Sequence, residues 1–149
     1  MGRFIFRLQS VLDVRATACN ECRARLAESF AAAAELDGRR QSIERELAAA
    51  VQLRQAGRKG PLDVQHLASV QRYEQLLRGD LGIVGEQIHA LEQRIERERE
   101  ALIVADRQVR LLERLREKQL ARHRQQESAS ELRELDDLLR SAPGEKPQG

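Results

Sequence analysis

The residues with the greatest capacity for chemistry are two cysteines, Cys19 and Cys22, at a C-x-x-C spacing that could serve thiol exchange or half of a zinc site. No second Cys or His pair stands at a zinc-site distance. Both thiols also fall on the apolar stripe of a helical pattern, where a thiol packs as a small hydrophobe. The histidines, His66, His89 and His123, are too far apart along the chain to form a Cys-His or Ser-His-Asp constellation without a fold that folds back on itself repeatedly. Gly79, Gly82 and Gly85 read G-x-x-G-x-x-G, but no strand precedes them, as a phosphate-cradling loop requires. They fit a soft stretch of helix at about 1 kcal/mol per glycine relative to alanine. No catalytic residue, cofactor site or metal site is expected, nor any small-molecule substrate.

The elements that would carry these residues are long helices. Aromatic residues make up 3% of the 149 residues, hydrophobic ones 41% and charged ones 34%, which leaves little material for a sheet or a thick core. The 26 basic and 24 acidic side chains are interspersed. That mixture suits ion pairs on a helix surface, such as Glu92 and Glu96 with Arg99, and argues against a dedicated nucleic-acid face. No run reaches the roughly 18 to 20 apolar residues of a membrane span. Arg3 and Arg7 interrupt the place where a signal peptide would need its apolar centre, so a cytoplasmic protein is expected.

Two 3-4 repeats define the architecture. The first runs from Leu8 through Leu12, Cys19, Cys22, Leu26, Leu36, Ile43 and Leu47 to Ala50, with Arg15, Ser29 and Arg40 as its polar members. The second runs from Leu67 through Leu77, Leu81, Val84, Ile88, Leu91, Ile95 and Leu102 to Leu112, with Glu74 and Glu98 as its polar members. Sustained 3.5-residue spacing holds a narrow seam against a partner helix in a left-handed coiled coil. Between the repeats, Gly57-Arg58-Lys59-Gly60-Pro61 breaks the pattern. The expected fold is all-α. Residues 1–142 form an antiparallel coiled-coil hairpin with helix one at about 4–55, the tip at 57–61 and a longer helix two at about 62–141; residues 143–149 are a disordered tail. Folding at the tip sets residue i of helix one near residue 118 − i of helix two, about 1.5 Å of helix per residue. Leu36 then meets Leu81, Cys22 meets Ile95, and helix two has no partner beyond about residue 115.

A two-helix seam leaves the other faces polar, so apolar residues off the seam are candidates for partner surfaces. Tyr73, Leu76 and Ile83 form one group near the tip. Val11 and Val14 of helix one with Val104, Leu111 and Leu115 of helix two form another at the opposite end. Leu132, Leu135, Leu138 and Leu139 recover helical spacing after the polar run Arg122–Ser130 and suggest a third contact.

The opening Phe4-Ile5-Phe6-Arg7-Leu8-Gln9-Ser10-Val11-Leu12-Asp13-Val14-Arg15 resembles the start of the FliJ family of flagellar export proteins, whose pattern reads F-x-F-x-L-x-x-V-L-x-x-R. Leu112-Glu113-Arg114-Leu115-Arg116-Glu117-Lys118 and the stretch from Glu131 to Asp137 are similar to that family's C-terminal segment. The resemblance implies a non-enzymatic component of the flagellar type III export apparatus, cytoplasmic and peripherally associated with the inner membrane. It would act as a stalk in the hexameric export ATPase, contact the cytoplasmic domain of the membrane export gate and escort export chaperones. On that basis Val11, Val14, Val104, Leu111 and Leu115 would face the ATPase. Tyr73, Leu76 and Ile83 would face the gate, and Leu132, Leu135 and Leu139 a chaperone or other partner. The stalk of a virulence-type secretion system and a homodimeric coiled-coil scaffold fit the same pattern, while an Arg-rich nucleic-acid binder would show steeply salt-dependent DNA affinity.

Overall fold

In the computed structural model, which describes residues 2–61 and 63–142, two α-helices pack against each other as a hairpin, α1 (Gln9–Gly57) and the longer α2 (Val64–Ser141). There is no strand among the described residues. The all-α hairpin expected from the two seams is the observed fold, and 143–149, expected to be a disordered tail, lies outside the described residues.

The helix ends differ from expectation for identifiable reasons. Helix one was expected from about residue 4, but the helix starts at Gln9; Phe4, Ile5 and Phe6 precede it in non-helical backbone, with a turn closed by Gln9 N donating to Phe6 O (3.1 Å). Phe6 is only 6% exposed, so burying the ring outweighs one more turn of helix. At the start of α2, Asp63 is the cap rather than a member of the first turn: its Oδ1 accepts from Gln65 N (3.1 Å) and His66 N (3.3 Å), groups that have no partner inside the helix. Pro61 lies in the connection before it.

The contacts between the helices fall into two units, one covering Asn20–Ile103 and the other joining the chain up to Cys19 with the chain from Val104 onward. In the first unit Ile43, Ala50, Leu77 and Val84 form a buried cluster, with Leu47, Leu81 and Ile88 packed against it. All are members of the two repeats. The polar members Ser29 and Glu98 meet each other, and Glu74 is met by two arginines outside the repeats. Ser29 Oγ donates to Glu98 Oε2 at 2.6 Å, and the 2%-exposed Glu74 carboxylate has Arg54 Nε 3.0 Å from Oε1 and Arg78 Nη2 3.4 Å from Oε2. The Arg54 N–H is not aimed along that line, so the pair is held by charge rather than by an aligned hydrogen bond.

These contacts correct the register. The pairs Ser29 with Glu98, Arg54 with Glu74 and Gly57 with Leu67 put the partner of residue i near about 125 − i, roughly one heptad beyond 118 − i. Leu81 accordingly packs against the Ile43 cluster rather than at the level of Leu36. The physical reason is charge. At 118 − i the position opposite the buried Glu74 is Glu44, whereas in the observed register it is the uncharged Val51, with Arg54 three residues on and its Nε 3.0 Å from the carboxylate. A seam tolerates a slip by one heptad as far as its leucines are concerned, and its polar members remove that freedom.

In the second unit Leu12 and Cys19 are buried on α1, and Arg15 Nη1 donates to Gln108 Oε1 of α2 at 2.9 Å. The segment before α1 lies against α2. Gly2 O is 3.0 Å from His123 Nε2, the rings of Phe4 and His123 are 5.6 Å apart, and Glu127 Oε1 is 3.2 Å from the same imidazole nitrogen. Helix two therefore keeps a partner well beyond residue 115, and the Arg122–Ser130 run is not bare from its start.

Candidate functional site

Among the described residues, what these helices offer to other molecules includes a large share of exposed apolar side chains. Cys19 is buried and Cys22 half-buried, and both are free thiols. Among the described residues no three His, Cys, Asp or Glu side chains stand together to hold a metal ion. Gly79, Gly82 and Gly85 sit inside α2, Gly38 sits inside α1, and a Cβ added at any of the four would meet open space. None of them serves a close backbone approach.

The group at the open end lies wholly within the second unit. Val14 is 67% exposed and Leu111 65%, while Val11, Val104 and Leu115 are exposed to a lesser degree. The Arg15–Gln108 bridge sets α1 and α2 at a common level there, within a turn of Val14 and of Leu111, so the structure does bring residues of the two helices together. Their exposure follows from the helical period: Val14 lies two residues after the seam member Leu12, Val104 two after Leu102, Leu111 two after Val109, Leu115 three after Leu112 and Val11 three after Leu8, each off the line of seam positions.

Near the tip, Tyr73, Leu76 and Ile83 are exposed along one side of α2. Tyr73 Oη donates to Glu46 Oε2 of α1 at 3.3 Å. Partial desolvation, and after it the Glu46 carboxylate, hold the phenol above its ordinary pKa, so it stays a neutral donor. Tyr73 also borders a groove with Ala49, Ala50, Leu53 and Val70. Leu53, an exposed leucine of α1, was missed by the sequence reasoning; its signal was its place three residues after the seam member Ala50. Leu76 and Ile83 do not border that groove. The third group, Leu132, Leu135, Leu138 and Leu139, is exposed throughout.

Two long helices packed against each other as a hairpin place the protein in the class of coiled-coil proteins. The family model described as Flagellar FliJ protein matches residues 4–147, nearly the whole chain, and the protein belongs to that family. It thus has a role related to flagellar protein export. No curated protein and no solved structure matches the chain. Among the described residues no helix is long and apolar enough to cross a membrane.

Proposed function

We propose that this protein is the stalk of the flagellar export ATPase ring, working in the cytoplasm at the inner membrane by contact with partners and without chemistry of its own. The observation that carries this is the exposed apolar group on both helices of the second unit, Val11 and Val14 with Val104, Leu111 and Leu115. Surface of this kind lowers solubility in a free protein, whereas a surrounding ring buries it at about 25 cal/mol per Å² of apolar area. Membership of the FliJ family supports the assignment. Tyr73, Leu76 and Ile83 then serve the cytoplasmic domain of the export gate, and Leu132, Leu135 and Leu139 an export chaperone.

The test is Val14→Glu combined with Leu111→Glu. Because both side chains are already in solvent, helicity and melting stay near wild type, while co-elution with the purified ATPase hexamer and stimulation of its hydrolysis are abolished. Retention of both interactions in the double variant removes this surface from the ring contact.

A further inference from the structure

The apolar residues of α2 that α1 leaves uncovered are not scattered. Val104, Leu111, Leu132 and Leu139 are separated by multiples of seven, and Leu115 follows Leu111 by four, the spacing of a second coiled-coil seam. This stripe is displaced by two or three residues from Leu102, Val109 and Leu112, which are half-buried against the partner helix, and every one of its five members is exposed. Its two ends differ in charge. From Arg107 to Arg124 the helix carries seven basic and two acidic residues, and from Glu127 to Asp137 five acidic and one basic.

We infer that α2 pairs with the α2 of a second copy of this chain, antiparallel, the 104–115 stretch of each copy lying on the 132–139 stretch of the other. Antiparallel pairing sets Leu111 and Leu115 beside the other copy's Leu132, and Val104 beside its Leu139. It also sets the basic half against the acidic half, Arg107 near Asp136 and Arg114 near Glu131. A parallel pair would stack like charges along its whole length. The arrangement is an isologous two-fold interface, and each contact occurs twice. Lys118, Arg122 and Gln125 occupy the middle of the stripe, so the pairing is polar at its centre and exchanges with monomer. Val104, Leu111 and Leu115 are covered in the dimer, which makes the dimer compete with any partner seated on them. The inference does not rest on the ring assignment, since it concerns the pure protein alone.

Sedimentation equilibrium of the full chain over a concentration series tests it. The expected result is a rise from the monomer mass of 17.0 kDa to twice that value. A single 17.0-kDa species at every concentration overturns the inference. Leu132→Asp with Leu139→Asp abolishes the dimer at unchanged helicity, because both side chains are in solvent in the monomer. Arg107→Glu with Arg114→Glu, or Glu131→Arg with Asp136→Arg, each removes the dimer, and the four substitutions together restore it; failure of that restoration overturns the antiparallel pairing. Orientation is read separately by oxidation of single-cysteine additions, with the wild type and its Cys19 and Cys22 as control. Arg122→Cys, near the two-fold axis, gains a covalent dimer, and Leu139→Cys does not. Equal crosslinking at both positions means a parallel pair and overturns the proposal.

Discussion

The two units solve the same problem with different materials. In Asn20–Ile103 the seam is regular, with Ile43, Ala50, Leu77 and Val84 buried and Leu47, Leu81 and Ile88 packed around them, and across it Ser29 meets Glu98 and Arg54 meets Glu74. In the other unit the buried apolar side chains are Phe6, Leu12 and Cys19, and part of the cover on α2 comes from non-helical backbone ending in Phe4 and Phe6. The first unit packs its seam residues into one buried cluster, while Leu53, Tyr73, Leu76 and Ile83 stay exposed off the seam. The second leaves Val14, Leu111 and four leucines after residue 131 in water. Both units thus keep exposed apolar surface of the kind with which a docking protein works, and they differ in the seam beneath it, which forms a continuous buried cluster in the first.

The contrast is broken most directly by removing one leucine from each unit. Leu77→Ala, at a site 3% exposed, lowers unfolding free energy by about 2–5 kcal/mol, a large part of what a small domain has. Leu139→Ala, at a site 75% exposed, changes it by less than about 0.5 kcal/mol at concentrations where the protein is monomeric. Denaturant titration measures both, and comparable losses would erase the distinction between the units.

A smaller and more local effect is expected from Phe6→Ala, which takes the anchor from the segment lying on α2. Amide exchange should accelerate at residues 2–8 and around His123, where Gly2 O and the Phe4 ring make their contacts, and stay unchanged across the Ile43–Val84 cluster. Acceleration in both places would mean that the units open as one.

The smallest effect concerns pH. The Ser29 hydroxyl first, and then Arg94, hold the Glu98 carboxyl below its ordinary pKa, against a desolvation that acts the other way. A carboxyl with a depressed folded pKa contributes stability that is present above its unfolded pKa, about 4.3, and is lost as pH falls through the folded value. Melting temperature should therefore drop on acidification below about pH 4.3, and Ser29→Ala should flatten that dependence. An identical pH profile in the variant would show that the hydroxyl does not carry the shift.

Periodicity, composition and one glycine- and proline-bearing tip were enough, without any coordinates, to determine two helices, their antiparallel order, the greater length of the second and nearly all of the seam. Helical phase is a local property: the 3.6-residue period dictates which side chains share a face wherever the helix runs. The off-seam apolar groups were legible for the same reason, and their exposure follows from phase alone. Register was not. Leucines seven residues apart are interchangeable to a partner helix, so the choice between 118 − i and about 125 − i rests on Glu74 meeting Arg54 instead of Glu44. Nor did periodicity place Phe4 and Phe6, which continue the helical pattern toward the start of the chain but lie on α2 in non-helical backbone. Both features depend on contacts between residues far apart in the chain, whose energies no local pattern contains, and the tertiary structure alone decides them.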